Sequence, residues 1–258
     1  MMITNIKKIV KVGLVACLTL MTSCEYSYSV KSIEGGRVAM TCQYDENAEN
    51  LEVTAILKKY KAGMDSVMSP VLGHAARDLV KNRPESPMSN LMADIIFRNC
   101  ERYSKKKADF AVMNMGGIRS TLAGGPITYG DLFEISPFEN SLCILEMDGK
   151  TVYELFTQIA ARHGEGISGA NLVITKDGKL VSAKIGGKKI DFNKIYVAAT
   201  LDYVAEGNDN MTAFLKAKTK TFPKNAALRD LLIDYVKDCE NKGVKIDANV
   251  EGRIVERK

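Results

Sequence analysis

Histidine is nearly missing from this 258-residue chain, which has two, His74 and His163, 89 positions apart. A hydrolytic metal centre built from several histidines and carboxylates has no evident ligand set here. None of the six cysteines forms a Cys-x-x-Cys pair, so a zinc site is not indicated. No Gly-x-Ser-x-Gly elbow or activated cysteine is present, which argues against nucleophilic hydrolysis. A long basic run is also lacking in the body of the chain. The formal charge of +5 falls to +2 without residues 1–23, which carry Lys7, Lys8 and Lys11 and no acid. That balance gives no reason to expect nucleic acid as a partner. There is no low-complexity linker and no short internal repeat. With 46% hydrophobic and 26% charged residues, the rest reads as one ordinary globular domain.

The N-terminus is of a different kind. Three lysines precede a short apolar core over residues 12–21, too short to span comfortably as a membrane helix. Met21-Thr22-Ser23-Cys24 then resembles the lipobox of bacterial lipoproteins. The expected organisation is a signal peptide over 1–23 and a lipid-anchored tether with a first strand over 24–47. A single domain over 48–258 follows. Acyl chains on Cys24 would hold an exported protein on a membrane surface, on the periplasmic or outer-membrane side. Cys42, Cys100, Cys143 and Cys239 then remain, and they read mostly as small buried hydrophobes.

Periodicity predicts a short strand over 37–42 and a helix over 50–68, with Leu51, Ile56, Tyr60 and Met64 on one face. Pro84 and Pro87 bracket a loop, and a second helix begins near Ser89 as its N-cap, closed by Lys105-Lys106-Lys107. Strands are expected over 108–113, 142–147 and 195–201, with a short element over 127–138. Asp148-Gly149 reads as a turn before a helix over 150–162. Asp177-Gly178 marks a hairpin, and a last helix runs over 226–242. Strands and helices alternate throughout, so the fold class is α+β, a mixed sheet covered by helices.

The stretch that carries chemistry is Asn114-Met115-Gly116-Gly117-Ile118-Arg119, directly after the apolar run 108–113. Two glycines allow a sharp turn or a close approach to a ligand, and the arginine offers a planar fork for phosphate or carboxylate. The plain alternative is a loop whose arginine is solvated and whose Asn114 makes an Asx-type turn. Phe138 and Tyr203 read as core aromatics or as rings that clamp a base, and Asp209 as a helix cap or a ligand contact.

These pieces resemble, in order, the C-terminal substrate-recognising domain of bacterial 5′-nucleotidases and UDP-sugar hydrolases. The marks are Pro84-Glu85-Ser86-Pro87 with Asn90-Leu91 and Ala93-Asp94, then the Gly-Gly-Ile-Arg turn. Pro137-Phe138-Glu139-Asn140, Ile167-Ser168-Gly169 and Tyr203 with Asp209 follow. The resemblance covers roughly residue 50 to the end. It implies that Arg119 contacts phosphate, with Asn114, Gly116 and Gly117 around it. Phe138 and Tyr203 would stack on the two faces of a base and Asn140 would bond its edge. Gly169 would lie against the ligand and Asp209 would accept from ribose hydroxyls. Arg83 is the nearest counterpart of the family's upstream arginines, although its alignment is not clean. Tyr203 stands where the family usually has phenylalanine, and Gly207-Asn208-Asp209 where two glycines commonly precede the aspartate.

The family's chemistry is metal-assisted phosphate-ester hydrolysis, with the ligands in an N-terminal metallophosphatase domain. This chain shows neither of that domain's histidine motifs. The expectation is therefore a nucleotide-recognition chain with no catalytic or metal residues of its own. A separate metallophosphatase protein would supply two divalent metals. A stand-alone nucleoside- or nucleotide-binding lipoprotein is the alternative.

Overall fold

The computed structural model describes residues 30–32, 35 and 51–257. Cys24, Cys42, the signal segment and the strand expected over 37–42 lie outside the described residues. By its contacts the chain divides into Met1–Asn50 and Leu51–Lys258, and the second unit holds the fold.

In chain order its elements are α1 (Leu51–Met68), β1 (Val71–Ala75), α2 (Pro87–Ser104), β2 (Phe110–Met113), β3 (Gly125–Thr128) and α3 (Tyr129–Ile135). Then come β4 (Leu142–Asp148), α4 (Gly149–Ala161), β5 (Gly166–Ser168), β6 (Ala170–Thr175), β7 (Leu180–Ile185) and β8 (Lys188–Lys189). The last are β9 (Ile195–Leu201), α5 (Asp202–Ala205), β10 (Thr219–Thr221), α6 (Leu228–Asn241) and β11 (Ile254–Arg257). This is the mixed α/β arrangement read from the sequence.

The main sheet has the order β10-β4-β9-β2-β5. Its β2–β9 pair is parallel and its other pairs are antiparallel. Every residue of β2 is buried, so the strand reads Phe-Ala-Val-Met without alternation. That is the pattern of a strand covered on both faces. α2 packs against β2 and β5, and α4 against β4, β6 and β7. Phe110 of β2 meets Phe156 of α4 edge to face, with ring centroids 5.2 Å apart. Each such fully buried side chain contributes roughly 1.5–3 kcal/mol. A second sheet, β11-β6-β7-β8, has β11 parallel to β6, and β1 pairs with β3.

Three local expectations change. The N-cap of α2 is Ser86 and not Ser89: the Ser86 hydroxyl accepts from Ser89 N–H, and the Ser89 hydroxyl accepts from Ser86 N–H. Pro87 fits inside the first turn because that position needs no N–H. Asp148-Gly149 is not a free turn. Asp148 caps α4 by accepting from Thr151 N–H, and Gly149 is its first residue. A Cβ at Gly149 would fall 2.1 Å from the Asp191 carbonyl oxygen, so β4 passes into α4 only through glycine. Finally, α1 forms as the spacing predicts, yet Ile56, Tyr60 and Met64 are 54%, 61% and 60% exposed. Their helical spacing marks a helix face, but that face does not belong to this core. Among the described residues no helix is long and apolar enough to cross a membrane.

Candidate functional site

β2 emerges from the sheet at Met113 and the chain turns at once through a short 3-10 segment, Met115–Gly117. Gly117 keeps that turn uncrowded. A Cβ would lie 2.8 Å from Asn114 Oδ1 and 2.9 Å from Met113 Cε. Two buried or half-buried side chains hold the turn from behind. Glu165 accepts from the Met115 N–H, and Lys81 Nζ donates to the Ile118 carbonyl at 2.5 Å. Arg119 then leaves the loop, its Nη1 donating to the Gly116 carbonyl at 3.2 Å and its guanidinium 5.7 Å from the centre of the Phe138 ring.

Phe138 and Asn140 sit on the loop after α3. Arg229 of α6 ties that loop down by donating to the carbonyls of Ser136 and Pro137 and to the Glu139 carboxylate, while its guanidinium lies 4.8 Å from the Phe133 ring centre. Burial opposes the charge on Arg229, but Glu139 together with Tyr129 and Asp230 outweighs it, and the Arg229 pKa is raised. The Asn140 carbonyl accepts from Leu228 N–H at 2.8 Å. On the far side β9 runs into α5, which carries Tyr203. Gly207, Asp209 and Asn210 then take left-handed backbone angles, with φ of +81°, +55° and +58°. This turn brings Asp209 back to β2, where its Oδ2 accepts from Asn114 Nδ2 at 2.6 Å.

The result is an open pocket of about 370 Å³ lined by Asn114, Gly116, Gly117, Arg119, Phe138, Asn140, Tyr203 and Asp209. That is within the size of small-ligand sites. Phe138 and Tyr203 are 45% and 43% exposed, so neither is a core aromatic. Asp209 caps no helix: the next 3-10 segment, Thr212–Lys216, has no side-chain cap, and its N-cap residue is Met211. Asn114 likewise makes no capping bond, because its amide is directed to Asp209. Its Oδ1 is buried without a partner.

Every lining residue was nominated by the sequence, but two nominated residues lie elsewhere. The Cβ direction of Gly169 (φ +75°) is filled by the Asp109 carbonyl oxygen at 2.5 Å and the Phe97 ring at 2.8 Å, and Gly169 is not in the pocket wall. Glycine there, between β5 and β6 in the chain, lets the backbone pack against Asp109 and Phe97. Arg83 is directed to Glu165 at 2.9 Å and to the Arg162 carbonyl at 2.8 Å and does not line the pocket. The sequence reading missed Lys81, Arg162, Glu165 and Arg229, which shape the wall without lining it. None of the four carries a local signal: Glu165 itself stands in Arg162-His163-Gly164-Glu165-Gly166, a polar, glycine-flanked run typical of a surface loop.

Among the described residues no three His, Cys, Asp or Glu side chains come together to hold a metal. His74 faces Glu240 at 3.1 Å and is not part of the pocket. The run Gly207-Asn208-Asp209-Asn210 is committed to the turn itself, Asn208 Nδ2 donating to the Tyr203 carbonyl. Cys100, Cys143 and Cys239 are free thiols, and burial pushes Cys143 up to about 12. The pocket wall itself carries one carboxylate, Asp209, and no histidine or cysteine. Chemically the wall offers two aromatic rings, Phe138 and Tyr203, a guanidinium, a carboxylate and two side-chain amides around one open space, a set suited to a flat, polar ligand with an anionic group.

Known proteins resemble this chain in sequence and in fold. A family model described as "5′-nucleotidase, C-terminal domain" matches residues 69–216, more than half of the chain. Endonuclease YhcR of Bacillus subtilis strain 168 is 37% identical over 164 residues, 60% of this chain and 13% of that protein. Protein UshA of Escherichia coli strain K12 is 30% identical over 184 residues, 68% of this chain and 32% of that one. The crystal structure of a 5′-nucleotidase precursor from Thermus thermophilus superposes with a TM-score of 0.71 at 23% identity. It covers 81% of this chain and 43% of that one, and so shows the fold. The chain thus spans about a third or less of the curated relatives it matches. With the matched region holding the β2 turn, the Phe138 loop and the Tyr203–Asp209 segment, this chain belongs to the 5′-nucleotidase C-terminal domain family.

Proposed function

We propose that this chain is the nucleotide-recognition half of a 5′-nucleotidase-type hydrolase acting in nucleotide catabolism, with a nucleoside monophosphate or a related nucleotide as its ligand. The observation that carries this is the pair of half-exposed rings, Phe138 and Tyr203, facing one pocket with Arg119 and Asp209. A base between two rings gains roughly 1–3 kcal/mol per stack with little regard to which base it is. Arg119 reads phosphate as a charge-assisted donor, Asn140 bonds the base edge, and Asp209 accepts from ribose hydroxyls.

Hydrolysis in this proposal belongs to a separate metallophosphatase chain that holds two divalent metals. What supports it is the near-absence of histidine in the sequence and the lack of a ligand cluster among the described residues. The chain itself binds and orients the nucleotide. Acylation at Cys24 completes the proposal, placing the assembly on a membrane surface facing the periplasm or the outside.

The test is reconstitution. Mixing the purified chain with metallophosphatases encoded beside it, in manganese or zinc, yields AMP hydrolysis that neither protein shows alone. Enzyme-like AMP hydrolysis by the isolated chain would refute the division of labour. Tight nucleotide binding with no partner able to reconstitute hydrolysis would instead establish a stand-alone binding lipoprotein. For the anchor, labelled fatty acid is incorporated by the natural chain and not by Cys24→Ala; incorporation into the variant overturns it.

A further inference from the structure

Asp209 is held by very little of its own segment. It sits on left-handed backbone, follows Gly207 and precedes Asn210, which is also left-handed. Its two carboxylate oxygens face side chains from distant elements. Oδ2 accepts from Asn114 Nδ2 at 2.6 Å, and Oδ1 lies 3.7 Å from Nη2 of Arg162, at the C-terminal end of α4. The second distance is that of an ion pair and not of a hydrogen bond. Arg162 is therefore close enough to orient the carboxylate by charge while leaving Oδ1 able to accept from a ligand.

Why Arg162 stops there is visible on its other edge. Its Nε donates to Glu165 Oε1 at 2.6 Å, and the side chain of Glu165 has no exposure at all. A buried carboxylate is costly unless it is fully paired. Glu165 is paired by three donors: Arg162, Arg83 at 2.9 Å and the Met115 N–H. The turn that carries the acid is fixed as well. A Cβ at Gly164 would lie 2.3 Å from the Pro84 carbonyl oxygen, so this stretch is pressed against the loop before α2. One buried acid thus fixes both the arginine behind Asp209 and the backbone of the Gly-Gly turn in front of it.

We propose that Arg162 and Glu165 are positioning residues for the sugar end of the pocket. Glu165 holds Arg162 back, and Arg162 aligns Asp209 so that both of its oxygens meet neighbouring ribose hydroxyls. This rests on the nucleotide reading of the pocket and goes beyond it by assigning sugar selectivity to residues that do not line the wall. Two side chains that act through a third couple in a double-mutant cycle, whereas a merely structural residue lowers stability without changing selectivity.

The measurement is the ratio of dissociation constants for AMP and 2′-deoxy-AMP, taken by calorimetry beside a melting curve. Arg162→Met is expected to reduce the preference for AMP by about two- to tenfold. Arg162→Lys, which can satisfy Glu165 or Asp209 but not both, reduces it as well and serves should the methionine variant fold poorly. In an Asp209→Asn background, Arg162→Met changes the ratio no further. If the ratio stays at the natural value in both variants, or if Arg162→Met lowers it equally with and without Asp209, the proposal is wrong. Failure of the natural chain to bind either nucleotide is a different result. It removes the nucleotide reading itself, and this assignment with it.

Discussion

Asn114 and Asp209, 95 positions apart in the chain, are joined across 2.6 Å by an amide-to-carboxylate hydrogen bond in the wall of the pocket. That bond ties the end of a buried central strand to a left-handed surface turn, and it faces both residues toward the same open space. The arrangement leaves Asn114 Oδ1 buried without a partner, which is costly unless a ligand or water donates to it. Around it the phosphate, base and sugar ends of the proposed ligand have separable side chains.

Arg119→Ala separates phosphate from base. It is expected to weaken AMP binding by about 1.5–3 kcal/mol, roughly 10- to 150-fold, and to leave adenosine binding almost unchanged. Titration calorimetry with the two ligands checks this, and an equal loss for both would remove Arg119 from the phosphate role.

Phe138→Ala and Tyr203→Ala are each expected to weaken AMP and adenosine alike, by roughly 1–3 kcal/mol. Because both rings are nearly half exposed, the melting temperature should hardly move. A large drop in melting temperature with intact affinity per folded molecule would mean that the rings support the fold and not a base.

The two glycines of the turn should behave differently. Gly117→Ala forces a methyl against Asn114 and Met113 and should cost about 1–3 kcal/mol of stability. Gly116→Ala meets Asp209 Oδ2 only at 3.6 Å, an ordinary contact, so the fold should hold while the pocket narrows. Denaturant unfolding distinguishes the two, and equal midpoints would contradict the geometry.

Arg229→Ala should loosen the loop that carries Phe138 and Asn140, lowering stability by about 1–2 kcal/mol and weakening AMP in parallel. Arg229→Lys should recover little, since an ammonium cannot reach two carbonyls and Glu139 while lying over the Phe133 ring. Full recovery by lysine would show that charge alone is needed.

The Cys143 thiol, raised to about 12 by burial, gives a pH dependence of known sign. Above the ordinary thiol value of 9.0 the unfolded chain loses this proton and the folded chain keeps it. Stability should therefore fall between pH 9 and about 12, by up to about 1.4 kcal/mol per pH unit from this group. Cys143→Ala removes that contribution, so its urea midpoint should vary less steeply over this range. In the native chain at pH 8.5, iodoacetamide should modify the partly exposed Cys239 before Cys143.

The same contrast between local pattern and distant partner governs what could be read early. β9 was legible over its full length because 195–201 is a nearly unbroken apolar run with β-branched Ile195, Val197 and Thr200, and the β6–β7 hairpin because Asp177-Gly178 permits its turn. β1, β3, β5, β10 and β11 were not anticipated, since strands of three to five residues are stabilised by the neighbour they pair with more than by their own composition. The Ser86 cap was misplaced at Ser89 because both hydroxyls take part and only the backbone geometry says which is the cap.

Residue type, order and short spacing were enough to give the kind of fold and to nominate the eight residues that line the pocket. They could not show that Phe138 and Tyr203 are open rings, or that Gly169 and Arg83 lie outside the wall. Nor could they show that Asp209 answers to Asn114 and Arg162 and not to a helix end. Those outcomes came from the folded molecule, because exposure and pairing depend on which distant segments meet. Here a buried acid, Glu165, holds Arg162 and the Met115 N–H, and a turn returning over 95 positions brings Asp209 to Asn114.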